Sequence, residues 1–145
     1  AYDTGMRQGE VLGLRWDQVD LAEGCFELEA EATKTEAARR VYLTKRVLAL
    51  LSELPRAGRF VFVNPDTGER YRDLRKAFHS AAEAIGRPEL WFHDLRRSFI
   101  TRARRRGIPQ SVVKRMSGHR TDAVFARYNI VEDRDVQDAA RKLEE

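Results

Sequence analysis

Apolar and polar positions along the chain change period several times, and each change marks an element. From Thr4 to Glu10 the chain leads into a short helix carrying Val11, Leu12 and Leu14, with Trp16 beyond it. Cys25-Phe26-Glu27-Leu28-Glu29-Ala30 then alternates apolar and polar, the period of a half-buried strand. Arg40-Val41-Tyr42-Leu43 reads as its partner, and Val19-Asp20-Leu21 as a third, short strand. Thr44 stands as N-cap to a helix over Lys45–Leu54, whose stripe is Val47, Leu48, Leu50 and Leu51. Phe60-Val61-Phe62-Val63 reads as a further short strand, bracketed by Pro55, Gly58 and the turn Asn64-Pro65-Asp66-Thr67-Gly68.

Helical spacing dominates the second half. Asp73–Ile85 predicts an amphipathic helix stopped by Gly86 and Pro88, with His79 as a packing or surface residue. His93–Arg106 predicts a helix with Leu95, Phe99 and Ala103 turned to the core, ended by Gly107. Ile108-Pro109 opens a short helix through Met116, capped by Gly118, after which the His119 ring is expected to point back at the preceding helix. Thr121–Tyr128 predicts another short helix, and the segment from Val131 to Glu145 an amphipathic tail helix. The pattern is α+β and mainly helical, about one domain in length, with no internal repeat.

Charge sharpens this picture. The chain has 27 Lys+Arg against 23 Asp+Glu, a modest +4. Yet from Arg96 to Arg120 there are nine Lys/Arg and no Asp or Glu. So one-sided a cluster suits a polyanion, nucleic acid before others. The 42% apolar and 34% charged content fits a globular chain and argues against a disordered tail. Cys25 is the single cysteine, so no disulfide forms within the chain, and a reducing, cytoplasmic setting is expected. No apolar run approaches a membrane span and no signal peptide is visible.

Candidate chemistry centres on Trp91-Phe92-His93-Asp94-Leu95-Arg96-Arg97-Ser98. His93 and Arg96 are three apart near a helix N-terminus, where free N–H groups and the dipole favour an anion such as phosphate. Arg7 and Glu10 share the same spacing, which lets the carboxylate orient the guanidinium. Lys34 lies near the tip of the polar connection Ala32-Thr33-Lys34-Thr35-Glu36. No P-loop, no acidic cluster of metal-site type and no zinc spacing occurs, and His79, His93 and His119 are scattered. No cofactor and no metal is expected.

Taken in order, these residues resemble the catalytic domain of the tyrosine recombinases, the phage-integrase family. Thr-Gly-Met-Arg-x-x-Glu at 4–10 resembles the family's first arginine motif, and Thr-Lys-Thr at 33–35 its hairpin lysine. His-Asp-Leu-Arg at 93–96 matches the His-x-x-Arg box. Gly-His at 118–119, with Tyr128 nine residues after His119, matches the final histidine and the nucleophile. The resemblance runs from Thr4 to about Val131. Each motif is weak alone; six in order are specific. Two departures stand out: Arg97 takes a place where many relatives have histidine, and the family's amino-terminal DNA-binding domain is absent, so the sequence reads as a fragment.

The resemblance implies a mainly helical fold with a small antiparallel β-sheet at one edge. It implies catalytic roles for Arg7, Lys34, His93, Arg96, His119 and Tyr128, with Glu10 in support. Arg7 and Arg96 would stabilise the oxygens of a five-coordinate phosphorus, with His119 as a further donor. Tyr128, roughly a thousandth phenolate at neutral pH when unperturbed, would attack phosphorus with His93 accepting or orienting its proton. Lys34 would protonate the leaving sugar oxygen, giving a 3′-phosphotyrosine and a free 5′-hydroxyl. Double-stranded DNA is the implied partner, with homo-oligomers assembled on it and the tail, Val136–Leu143, packed in cis or in trans over the Tyr128 helix. Type IB topoisomerase-like cleavage is the near alternative. A non-enzymatic helix-turn-helix binder built on Arg102–Ser117 is the distant one; it leaves Arg7, Lys34 and Tyr128 without a purpose.

Overall fold

The computed structural model describes residues 1–29, 38–119, 125–126, 131 and 133–143. In chain order these form α1 (Gln8–Leu12), a 3-10 turn (Trp16–Gln18), β1 (Val19–Asp20), β2 (Cys25–Leu28), β3 (Arg39–Tyr42) and α2 (Lys45–Glu53). There follow α3 (Arg75–Ala84), α4 (Phe92–Arg105), α5 (Gln110–Ser117) and α6 (Asp133–Lys142). Helices dominate and the three strands make one antiparallel sheet in the order β1-β2-β3.

Register fixes what the sheet buries. Phe26 stands opposite Val41 and Leu28 opposite Arg39, while Glu27 faces Arg40 on the other side and pairs with it. A period of two therefore sends Phe26, Leu28 and Val41 inward, each 3% exposed or less. Met6, Leu14, Leu51 and Val61 close over them as one core. The same alternation turns the Arg39 side chain inward beside Val41, an unusual place for a charge. Thr44 Oγ1 accepts from Val47 N at 3.4 Å and starts α2 where the sequence places it.

Phe60–Val63 is not a strand, contrary to its apolar pattern. Phe60 bridges Arg15 and Val63 bridges Arg70, each in isolation. Val61 N donates to Leu14 O (2.9 Å), so this segment leans on the chain after α1. The tight turn beyond it, with Gly68 N donating to Asn64 O (2.8 Å), folds the chain back before a ladder can extend. Of the four residues only Val61 is buried. The α3 helix starts at Arg75 because Asp73 Oδ1 accepts from Arg75 N (2.8 Å), and His79 is a surface residue beside Glu83.

A second core joins α4 to α5: Phe99, Ile100, Ala103, Val113 and Phe125, with Ile108 and Met116 packed against them. Leu95, expected in that core, is only half-buried. The turn between the helices closes on Ile108 N to Ala103 O (3.1 Å) and Gly107 N to Arg104 O (2.8 Å). The tail helix α6 lies beside this turn. An open groove of about 760 Å³ runs between them, lined by Arg104, Ile108 and Pro109 on one side and by Val136 and Ala139 on the other. Among the described residues no helix is long and apolar enough to cross a membrane. The expected helix over Thr121–Tyr128 and the Lys34 connection fall almost wholly outside the described residues.

Candidate active site

Thr4–Gly5 turns the chain so that Arg7 arrives at the start of α1. Gly5 N donates to Ala1 O (2.8 Å), and Gly5 takes φ 67°, a left-handed value that costs glycine little. Arg7 is the N-cap residue of α1, and its backbone N–H and Nη1 both bind Glu10, at 2.9 and 3.1 Å. The carboxylate of this pair is buried, with Glu10 4% exposed. Its carboxylate also takes both terminal nitrogens of Arg39, at 2.7 and 3.2 Å. Burial pushes the Glu10 carboxyl up, but hydrogen bonds from Arg39 and from the Arg7 amide, with both arginine charges, outweigh it and leave its pKa lowered. Arg39 was not singled out from the sequence; its placement one alternation from buried Val41 is the signal that marks it.

Arg96 comes from the second turn of α4 and is 1% exposed. Its Nη1 donates to Gly5 O at 2.6 Å, and Nη2 lies 3.0 Å from both ring nitrogens of His119. A position equidistant from Nδ1 and Nε2 cannot follow the in-plane lone pair of either, so the guanidinium lies against the ring. His119 reaches it because Gly118 adopts φ 70° as the left-handed cap of α5, with Gly118 N donating to Lys114 O (2.8 Å). The ring points back at α4, as the sequence predicts. Phe125 meets it edge to face, centroids 5.6 Å apart.

Ser117 completes the setting of that ring. Its Oγ lies 2.8 Å from Val113 O and 2.7 Å from His119 Nδ1. A hydroxyl has one proton and a carbonyl oxygen can only accept, so Oγ donates to Val113 O and accepts from Nδ1–H. This assigns the Nδ1–H tautomer and leaves Nε2 as the ring's other functional face. Burial first, then the charges of Arg96, Arg7, His93 and Arg39, lower the His119 pKa to about 3, so the ring is neutral at physiological pH.

His93 sits one turn before Arg96 but does not share its environment: it is exposed where Arg96 is buried. Partial burial first, then Arg96, Arg97 and Arg7, lower its pKa, with Asp94 opposing. Arg7 Nη2 reaches toward Gly118 O at 3.4 Å, which ties the first arginine to the His119 turn. The structure thus gathers Arg7, Glu10, Arg96 and His119, with Arg7 reaching Gly118 across 111 residues of sequence and His93 in the same electrostatic field. Lys34 and Tyr128 lie outside the described residues. Such a site presents an anion with forked cationic donors, Arg7 held by the Glu10 carboxylate and Arg96 by the Gly5 carbonyl.

The model of the phage integrase family matches residues 1–134. The chain belongs to the phage integrase family. Among curated relatives, the shufflon-specific DNA recombinase of Escherichia coli is 33% identical over 130 residues, covering 88% of this chain and 32% of that protein. The integrase of Salmonella phage P22 is 24% identical over 157 residues, covering 99% of this chain and 41% of its own length. The chain therefore spans less than half the length of these two integrase-family relatives. Among solved structures, the XerA recombinase superposes with a TM-score of 0.82 at 20% identity, over 99% of this chain and 55% of that one. The XerH site-specific recombinase, solved bound to its difH substrate before cleavage, gives 0.73 at 25% identity, over 99% of this chain and 44% of that one. The fold is that of the tyrosine recombinase catalytic domains.

Proposed function

We propose that this chain is the catalytic domain of a site-specific recombinase that cuts and rejoins double-stranded DNA through Tyr128. The observation that carries the reading is the Arg7–Glu10–Arg96–His119 assembly, built from both ends of a phage-integrase chain around what a phosphodiester needs. Arg7 and Arg96 donate to the non-bridging oxygens and hold the charge that grows on them in the transition state. Tyr128 Oη attacks phosphorus, the bond from phosphorus to the 5′ oxygen breaks, and a 3′-phosphotyrosine remains. His93 takes or orients the tyrosine proton, and Lys34 delivers a proton to the departing 5′ oxygen. Retention of the phosphodiester energy in that ester makes the exchange independent of ATP, and the arginines perform the charge stabilisation without a metal.

His119 enters this scheme through Nε2, since Nδ1–H is committed to Ser117. A phosphate arriving between Arg7 and Arg96 opposes the burial and the arginine charges that hold the ring neutral, raises its affinity for a proton and makes Nε2 a donor to the anion. Copies of the protein assembled on DNA in the cytoplasm, with α6 available for contact, complete the proposal. The test is covalent trapping: the intact natural polypeptide carrying this chain is mixed with supercoiled plasmid and with nicked duplexes, with EDTA and without ATP, then denatured. Protein joined to DNA supports the reading; none on either substrate refutes it.

A further inference from the structure

Arg39 is a buried cation within a cationic site. Its side chain is 7% exposed, and its charge helps to lower the His119 pKa, so it works against the neighbours it sits among. Two contacts explain its retention there. Its forked nitrogens hold both oxygens of Glu10, at 2.7 and 3.2 Å, and the same two oxygens hold the backbone and side chain of Arg7. The carboxylate is thus fixed between two guanidinium groups and cannot turn without releasing both. On its other side the Arg39 guanidinium lies against Gly118. A Cβ at that residue would stand 2.6 Å from Nη1 and 2.8 Å from Cζ of Arg39. Gly118 is therefore glycine for two reasons, its positive φ and the arginine pressed on it.

We propose that Arg39 is a positioning residue for phosphoryl transfer, setting Arg7 through Glu10 and His119 through Gly118. It rests on the recombinase reading of the site. Arg39 touches neither DNA nor Tyr128 in this role; it joins the sheet to the two loops that carry the phosphate donors. The competing explanation is a plain ion pair tethering β3 to α1. The two differ in what lysine can replace: lysine keeps the charge but has no planar fork to hold two oxygens and cover a glycine.

The decisive comparison uses Arg39→Lys and Arg39→Gln in the intact polypeptide, with three readouts: thermal midpoint, affinity for a labelled plasmid fragment, and rate of covalent adduct at saturating supercoiled plasmid. The expected result for Arg39→Lys is a midpoint and an affinity close to wild type with adduct formation slowed about 10- to 100-fold, as for ångström-scale misplacement. A wild-type rate in Arg39→Lys, or a loss that merely follows affinity or midpoint, overturns the proposal. A second arm needs no DNA: ring 1H–15N spectra of the three histidines. Arg39→Lys is expected to move the His119 signals and leave those of His79; unmoved His119 signals overturn the proposal. If wild type itself forms no adduct, the recombinase reading fails while the spectra still decide whether Arg39 positions His119.

Discussion

Arg96 donates to the Gly5 carbonyl at 2.6 Å across 91 residues of sequence, so the second arginine of the site is held by the loop that delivers the first. That loop has no room for a side chain: a Cβ on Gly5 would stand 2.6 Å from Cδ1 of Phe99. Gly5→Ala adds this clash to left-handed strain, a combined cost of about 2–3 kcal/mol. Urea denaturation should show that loss, and adduct formation should slow with it, because the displaced carbonyl is the one that orients Arg96.

Glu10 holds two arginines with one buried carboxylate. Glu10→Gln keeps the shape and removes the charge, leaving Arg7 and Arg39 facing each other. Removing one partner of a buried ion pair costs on the order of 3–5 kcal/mol. The expected loss in denaturant is at the low end, about 3 kcal/mol, because Arg7 keeps some contact with solvent. Combined with Arg39→Gln, the loss should fall well short of the sum of the single losses. Strict additivity would mean that the two residues do not act as a pair.

Stability should fall as the solution is acidified, with a sign fixed by the site. His119 titrates near 3 in the folded chain against 6.5 for an unperturbed histidine, so between those values the unfolded chain binds the proton first. Its contribution is complete above about 6.5 and is lost as pH falls toward 3. His93 is shifted the same way. Glu10, also lowered, adds stability above its ordinary 4.5 that disappears below it. Thermal midpoints measured from pH 7 to pH 5 should therefore decline, and His119→Gln should flatten that decline. An unchanged slope would show that the ring is not held neutral by its surroundings.

Ser117 should matter beyond its size. Ser117→Ala removes the acceptor for His119 Nδ1–H, a loss of about 1 kcal/mol for one buried hydrogen bond. The more telling change is in the ring, where nitrogen chemical shifts should report the Nδ1–H tautomer in wild type and a mixture in the variant. Wild-type shifts that report Nε2–H would contradict the assignment.

Much of this architecture is legible in the sequence because local signals and packing agree. The alternation of Cys25–Leu28, the Thr44 cap and the Gly118 stop each produce the expected element, and the Gly-His step turns His119 back on α4. Phe60–Val63 misleads because four apolar residues satisfy a strand pattern while a five-residue turn just beyond them decides the pairing. Arg39 escaped notice because charge in a short strand reads as a solvent face; only the register against Leu28 shows that it points inward. The spacing of Arg7 and Glu10 foretells their pairing, but sequence spacing carries no information about burial, so the depth of Glu10 shows only in the structure. Arg7, Arg96 and His119 meet where the order of their motifs suggests, while His93, one turn before Arg96, stays exposed.

Residue-level mapping of the covalent bond is the most direct test. Protein trapped on plasmid DNA in EDTA is digested, and the peptide bearing the nucleotide remnant is sequenced by mass spectrometry, beside a Tyr128→Phe control. The expected result is a phosphodiester remnant on Tyr128 and no adduct from the variant. An adduct on another residue, or one that survives Tyr128→Phe, would contradict Tyr128 as the nucleophile and the mechanism built on it.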